Sequence, residues 1–325
     1  MPRTVAVTLS AAGALLALGL AAACSSGSST EAPPTPTVPW SRVAPVPEPV
    51  QEMHAAVLGG RIYIAGGLDD SDRPTSRAWR YDPAADAWRR IADLPAARHH
   101  MPLAVAADSL FAVGGLEGAD FSAVSTLWVY RADVDTWEER AALPEPRGAS
   151  AVGVVGGRLL VVGGFGASRR LVETTDVYDP ATGAWARRAV IPTARDHLTA
   201  AVADGTLYAI GGRPLSPDAN FDVVEAYDLA ADRWSARAPM PTRRGGLASA
   251  VLGGRIHVVG GETSSAVFDE HEAYDPASDA WAALEPMPTA RHGLGAAVVG
   301  GRLHAIAGGP AAGLAQTSIV EVFTP

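Results

Sequence analysis

The sequence predicts an all-β fold in which six similar units close into a ring. Three observations lead to this prediction: tryptophan recurs every 47 to 49 residues, pairs of small residues recur in step with it, and each unit carries one further aromatic residue at a fixed place. A constant period of this length is typical of repeat architectures, in which each repeat is one supersecondary unit. The tryptophans are Trp40, Trp88, Trp137, Trp185, Trp234 and Trp281.

Within a unit, the pattern predicts four short strands. The first is a small, apolar segment such as residues 295–299, joined to the second by a Gly-Gly or Asp-Gly turn. These dipeptides favour tight hairpins, because the preferred turns need positive φ angles. The second strand ends at the small-residue pair, where missing side chains let strands crowd near an axis. The third ends at the repeated aromatic, and the fourth begins with the tryptophan. The pairs are Gly66-Gly67, Gly114-Gly115, Gly163-Gly164, Gly211-Gly212, Gly260-Gly261 and the degenerate Ala307-Gly308; the aromatics are Tyr81, Tyr130, Tyr178, Tyr227, Tyr274 and Phe323.

This order of strands, glycine pair, tyrosine and tryptophan resembles the Kelch repeat, whose units are the blades of a β-propeller. The resemblance covers residues 40 to 325 and implies a six-bladed Kelch β-propeller over residues 39–325. The chain ends just after a third strand, so the fourth strand of blade six is expected from residues 39–43. The N-terminal strand would then pair with the C-terminal strands and close the ring without an open edge. These motifs specify a fold and leave the function open.

The N-terminal residues predict export and anchoring. Residues 1–23 combine Arg3, an apolar segment and small residues directly before Cys24, which is the layout of a bacterial lipoprotein signal peptide. The position three residues before the cysteine holds Ala21, where such signals prefer leucine. Residues 24–38 are rich in Ser, Pro and Thr and predict a disordered tether. We therefore expect lipidation of Cys24 and a location at the outer face of the bacterial cell membrane, with an ordinary signal peptide as the alternative.

Composition excludes several classes of function. The formal net charge is -9, which disfavours nucleic acid as a partner, because its binding requires neutralised phosphates. All 26 basic residues are arginine, so a lysine Schiff base and a P-loop lysine are impossible. The single cysteine, Cys24, can form neither an internal disulfide nor a metal site. The sequence predicts no cofactor and no metal.

Arginine recurs three residues after a proline in the connections between units, at Arg98, Arg147, Arg195, Arg244 and Arg291. Only the first unit departs, with Val50. These connections share one face of a propeller, so the arginines are candidates for a ring near the channel mouth that would bind an anion. The alternative is structural: arginine belongs to the repeat itself and ties loops and neighbouring blades together.

Other candidate ligand-binding residues accompany the arginines. Arg213 and Glu262 directly follow two glycine pairs and are predicted to point inward. The histidines beside the arginines, His100, His197 and His292, follow the repeat and are therefore candidates for either binding or structural roles. The variable loops are expected to carry specificity, and their aromatic residues are candidate recognition anchors. They are Phe121, Phe165, Phe221 and Phe268.

Two functions from different classes follow from these features. The anchor, the tether and the missing catalytic motifs favour a recognition module that binds an envelope protein or a glycan through loops on one face. The alternative is an enzyme that resembles N-acetylneuraminate epimerase (mutarotase), an exported six-bladed Kelch propeller whose substrate is an anionic sugar. Only the repeat matches that family, so no catalytic residue is assigned.

Overall fold

The computed structural model describes Pro2 and residues 39–325, and the latter form a β-propeller of six four-stranded antiparallel blades. The predicted fold class is confirmed. The predicted signal peptide, Cys24 and the tether lie outside the described residues. Within the described part of the chain, no helix is both long and apolar enough to cross a membrane.

The strands follow in chain order. The first strand in the chain, β1 (Trp40–Arg42), belongs to blade 6. Blade 1 contains β2 (His54–Leu58), β3 (Arg61–Ala65), β4 (Ala78–Asp82) and β5 (Ala87–Arg90). Blade 2 contains β6 (Leu103–Ala106), β7 (Ser109–Val113), β10 (Leu127–Arg131) and β11 (Thr136–Arg140). The loop between β7 and β10 forms a small hairpin of β8 (Leu116–Glu117) and β9 (Ser122–Ala123). Blade 3 contains β12 (Ala151–Val155), β13 (Arg158–Val162), β14 (Thr175–Asp179) and β15 (Ala184–Arg188), with a short 3-10 helix at Ala167–Arg169. Blade 4 contains β16 (Thr199–Ala203), β17 (Thr206–Ile210), β18 (Val224–Asp228) and β19 (Arg233–Ala236). Blade 5 contains β20 (Ala248–Leu252), β21 (Arg255–Val259), β22 (His271–Asp275) and β23 (Ala280–Ala283), and blade 6 contains β24 (Gly295–Val299), β25 (Arg302–Ile306) and β26 (Val320–Phe323).

The N-terminal strand completes blade 6. β1 pairs antiparallel with β26, with Trp40 opposite Phe323, so both ends of the propeller lie in one sheet. Trp40 is buried, and its Nε1 donates a hydrogen bond of 2.9 Å to the backbone oxygen of Glu285 in the connection from blade 5. Every other repeated tryptophan donates in the same way to the connection that leaves the preceding blade. The tryptophan period therefore reflects a repeated bond between neighbouring blades.

The glycine pairs are required by close approach of backbones. Gly66 has a φ of 71°, and a Cβ atom there would lie 2.4 Å from the backbone oxygen of Arg98. Gly67 has a φ of 107° and would place a Cβ 2.4 Å from Val50. A side chain at either position would clash and would also strain the backbone. The glycine pair therefore allows the end of the second strand to lie directly against the backbone of the connection to the next blade.

A second repeated link joins the repeated tyrosine to the turn after it. The hydroxyl of Tyr81 donates to Asp86 over 2.7 Å, and the same carboxylate oxygen accepts the backbone N–H of Ala44 from the neighbouring blade. The Tyr81 hydrogen bond and the Ala44 backbone hold the pKa of Asp86 below its usual range. Blades 2, 4 and 5 repeat the arrangement, whereas Gly183 replaces the aspartate in blade 3.

The hydrophobic core lies between adjacent blades. Leu160 and Val162 of blade 3 pack with Leu207 and Tyr227 of blade 4, and all four are buried. Similar clusters recur around the ring. Because the core lies between the blades, the loops at the two ends of the propeller lie outside it. Their sequences can therefore vary.

Candidate functional site

A closed ring of six backbone hydrogen bonds surrounds the channel at the ends of the connections between blades. Each bond joins the N–H of one blade to the carbonyl of its neighbour, and their lengths are 2.7 to 3.0 Å. The members are Glu52, His100, Ala149, His197, Gly246 and Gly293, one per blade. All six have positive φ angles, between 49° and 67°. The ring fixes six equivalent positions around one axis.

The side chains at these six positions differ in size and polarity. Glu52, His100 and His197 carry polar groups, whereas Ala149 and the two glycines leave space. A Cβ atom at Gly293 would lie 2.7 Å from the carboxyl carbon of Glu52, so the glycine makes room for that side chain. Three functional groups from blades 1, 2 and 4 therefore share one narrow level of the channel.

A second level lies directly above this ring. The residue after each glycine pair forms a bridge with the residue that precedes the ring position, as Arg213 does with Asp196 and Glu262 does with Gly245. Arg213 and Glu262 both line the mouth. His292 belongs to the same level and bridges Gly309.

The two levels enclose a cavity of about 150 Å³, here called the mouth cavity. Its polar side is formed by Glu52, His100, His197, Arg213, Glu262 and His292, and the exposed Arg169 also lines it. Its apolar side is formed mainly by Leu68, Leu116, Phe121, Phe165 and Leu314. Below the ring the channel continues into a smaller space of about 30 Å³, which the six ring residues line together with Met53, Ser150 and Leu198.

Ion pairs organise the polar side of the mouth cavity. Arg213 donates to Glu262 over 2.8 Å, and its Nε lies 3.7 Å from Asp196. Burial disfavours the charged form of Glu262, but His292 and Arg213 outweigh burial and lower its pKa. Burial acts in the same direction on Asp196, where the hydrogen bond and charge of His197 and the charge of Arg213 lower the pKa. Both carboxylates are thus ionised at neutral pH.

Burial lowers the pKa of three histidines near the axis, His54, His99 and His100. Burial and the nearby charge of His197 lower the pKa of His100 well below its ordinary value, and its Nε2 lies 3.1 Å from Glu52. The same two causes lower the pKa of His54 and of His99 to about 4. Asp196 and Glu262 pair with Arg213, while Glu52 and the exposed Arg169 also line the mouth cavity. The cavity therefore offers both carboxylates and guanidinium groups to a polar ligand.

Four of the predicted arginines lie inside the blades instead of lining the mouth cavity. The side chains of Arg147, Arg195, Arg244 and Arg291 are fully buried. Each guanidinium pairs with the acidic residue at the second position of the third strand of its blade, namely Asp176, Glu225, Glu272 and Glu321. Arg195 also donates to the carbonyls of Gly211, Thr193 and Ala209. This placement favours the structural alternative for these arginines.

Blades 1 and 2 lack the acidic residue in the third strand. In blade 2 that position holds Trp128, and the guanidinium of Arg98 lies over its ring at 5.1 Å. Arg98 also pairs with the half-exposed Glu117. In blade 1 the position holds Trp79, and Val50 stands in place of the arginine within the same apolar cluster. The arginine is thus kept over a tryptophan in blade 2 and replaced by a valine in blade 1.

Comparison with known families agrees with this geometry. A family model described as the KLHDC2/KLHL20/DRC7 Kelch-repeats domain matches residues 110–309, which is more than half of the chain. The chain belongs to the Kelch-repeat family. A second model, the Kelch motif, matches residues 52–95 of this Kelch propeller. No curated protein matches the chain at a significant level.

Solved structures share the fold of the Kelch propeller. The structure of YjhT superposes with a TM-score of 0.76 at 16% sequence identity, and the match covers 88% of this chain and 97% of that one. At this identity the likeness shows the fold alone. In all, 767 chains of solved structures match, so the fold by itself does not select an activity.

The loop aromatics are not the exposed anchors that the sequence suggested. Phe165 is buried against Leu116 and Ala149, and Phe121 packs on that cluster with its ring 4.6 Å from the ring of His99. Phe221 and Phe268 are half-buried. The loops fold back over the mouth of the Kelch propeller, so their aromatics support its wall.

The sequence prediction missed Glu52 and Asp196. Glu52 stands two residues after Val50, which is the same distance that separates His100 from Arg98 and His197 from Arg195. Asp196 stands one residue after its arginine, as His292 does. An alignment of the Kelch units on the arginine column would have placed all of these residues at the axis.

Proposed function

We propose that the chain is a recognition module, anchored through Cys24 at the outer face of a bacterial cell membrane, that binds an envelope protein or a glycan. The contact surface is the propeller face that carries the mouth cavity, here called the recognition face. It contains the loops between second and third strands and the connections between blades. The Kelch propeller fold supports this proposal, because such folds serve as platforms for variable loops.

The distribution of exposed apolar side chains supports this choice of face. Four large hydrophobic residues are exposed in the described part of the chain, and three of them, Val190, Leu215 and Leu314, lie on the recognition face. Leu314 stands at the rim of the mouth cavity with 55% of its surface exposed. Val190 and Leu215 line a neighbouring groove of about 470 Å³. The fourth, Val134, lies in the turn between the third and fourth strands of blade 2, at the opposite end.

The mouth cavity adds selectivity to this face. Its apolar wall and its polar wall stand opposite each other, so a group with one apolar side and one hydroxyl-bearing side fits best. A sugar ring and an amphipathic side chain both have this character.

A carbohydrate enzyme remains a second candidate because of the Asp196–His197 contact. A carboxylate that accepts a hydrogen bond from Nδ1 leaves Nε2 of the imidazole free to take a proton from a hydroxyl group. Arg213 is engaged by two carboxylates, so the exposed Arg169 in the cavity wall is the guanidinium that would face an anionic sugar. An acceleration of N-acetylneuraminate mutarotation that is lost in His197→Ala would favour the enzyme.

A thermal-shift screen of the full chain against neutral sugars, acidic sugars and candidate envelope proteins tests the recognition module. We expect a saturable rise in melting temperature with one class, and we expect Leu314→Ser to weaken that binding about 30-fold, the loss for a hot-spot residue of about 2 kcal/mol. Leu314 is an exposed loop residue, so the substitution changes the free energy of unfolding by less than about 0.5 kcal/mol.

Val134→Ser is the matched control, because Val134 is equally exposed at the other end of the propeller. It should leave the ligand affinity unchanged. An equal loss of affinity in both variants would contradict a contact through the recognition face.

A further inference from the structure

The polar side of the mouth cavity contains two triads of potential metal ligands that share one residue. Glu52, His100 and His197 each offer a ligand atom, and these atoms lie within 4.8 Å of one another. Glu52, Glu262 and His292 form the second triad under the same limit. The ring of backbone hydrogen bonds holds Glu52, His100 and His197 at one level, so their approach is set by the fold.

Two of the three histidines are oriented as metal-binding histidines are. His292 places Nδ1 3.2 Å from the backbone oxygen of Gly309, and a carbonyl only accepts, so the proton lies on Nδ1. His197 places Nδ1 against the carboxylate of Asp196, which also accepts. In both residues Nε2 is the free nitrogen. Metal-ligating histidines commonly donate their other ring N–H to a carbonyl or a carboxylate in this way.

The free nitrogen of His292 faces two carboxylates. Its Nε2 lies 3.4 Å from Oε2 of Glu262 and 3.7 Å from Oε1 of Glu52. The opposite oxygen of Glu52 lies 3.1 Å from Nε2 of His100. A nitrogen and a carboxylate oxygen at such separations need a proton or a cation between them. A proton serves one pair of these atoms at a time, whereas a metal ion accepts several of them at once.

We propose that the mouth cavity binds a divalent transition-metal ion, with Glu52 as the ligand common to both triads. Imidazole nitrogens and carboxylate oxygens without thiolate suit Zn²⁺ and its first-row neighbours. The ion is placed in the first triad, with Glu52, His100 and His197 as its ligands, and the second triad shares only Glu52 with it. Asp196 is a positioning residue that orients His197.

The repeat provides a substitution that the backbone accepts. Ala149 occupies the ring position of blade 3 with a φ of 52°, while Glu52 and His197 have φ values of 53° and 51°. Alanine at either site therefore copies a conformation that the chain already contains. Glu52→Ala and His197→Ala should remove a ligand without breaking the ring.

Calorimetry with Zn²⁺ on the purified full chain, after treatment with a chelator, tests the proposal. We expect saturable binding that Glu52→Ala weakens by at least about 100-fold, because loss of an orienting partner alone costs about 10- to 100-fold. Asp196→Asn should weaken Zn²⁺ binding by about 10- to 100-fold, because Asp196 only orients His197. Co²⁺ bound to the protein should show visible absorption bands, and these bands should change in His197→Ala. A purely structural role of His197 would leave the bands unchanged.

Asp70→Asn is the control for non-specific attraction of cations to an acidic chain, because Asp70 lies in an exposed loop. It should leave Zn²⁺ affinity unchanged. Absence of Zn²⁺ binding, or equal affinity of wild type and Glu52→Ala, overturns the proposal. Equal losses in Asp70→Asn and Glu52→Ala overturn it as well. If Glu52→Ala fails to fold, the nearly isosteric Glu52→Gln takes its place. The inference does not rest on the proposed recognition function, and failure here would leave the effect of Leu314→Ser untouched.

Discussion

Replacement of Arg195 by alanine should lower the free energy of unfolding by about 3–5 kcal/mol, because it leaves a charged partner buried and unpaired. The side chain of Arg195 is fully buried, and that of Glu225 is 6% exposed. The guanidinium also satisfies three backbone carbonyls that have little access to water. Thermal unfolding should therefore shift downward by on the order of 10 °C for a domain of this size.

Arg243 provides the comparison. Its side chain is 70% exposed and pairs with Asp222 at the surface, so Arg243→Ala should change the free energy of unfolding by less than about 1 kcal/mol. The double variant Arg195→Met, Glu225→Leu should recover much of the loss, since a buried ion pair can be replaced by apolar residues at little cost. Blade 1 already combines Val50 with Trp79 at these positions. A fully stable Arg195→Ala that loses only ligand binding would contradict the structural role.

Deletion of residues 39–43 should open the propeller. It removes β1, the three-residue pairing with β26 and the buried Trp40. The loss of a buried tryptophan alone costs about 3–5 kcal/mol, and the deletion also exposes the edge of β26. Size-exclusion chromatography should show aggregation, and the cooperative thermal transition should be lost or strongly lowered.

Ser41→Ala is the control for this deletion. Ser41 is an exposed residue of β1, and the substitution keeps the backbone pairing with Val322. Its melting temperature should match that of the wild type. A deletion variant that stays monomeric with an unchanged melting temperature would show that β1 is not needed for closure.

The repeat allowed much of the fold to be predicted, because each repeated residue makes the same contact in successive blades. The glycine pairs permit a close approach of backbones, and the tryptophans donate to the preceding connection. Because these contacts recur, the residues that make them recur at a fixed spacing in the sequence. The acidic residues of the third strands were harder to interpret. Glu225 lies 30 residues from Arg195, and nothing local shows that the two side chains meet.

The candidate site was only partly predictable for the same reason. Arg213, Glu262 and the histidines were singled out because they follow repeated positions, and the structure brings Arg213, Glu262, His100, His197 and His292 to one cavity. Glu52 escaped notice because its blade lacks the arginine that marks the position elsewhere. The variable loops have no repeat, so the sequence could not show that Phe165 turns inward or that Leu314 stays exposed.

The most direct test of the recognition face is site-specific photo-cross-linking on intact cells. A photoreactive residue placed at Leu314 should form a covalent adduct with the bound protein or glycoconjugate, whereas the same residue at Val134 should form none. The full chain is used, so residues 1–38 are present in both cases. Adduct formation at position 314 alone would agree with binding at the mouth. Equal or stronger cross-linking from position 134 would contradict it and would move the contact surface to the opposite end of the propeller.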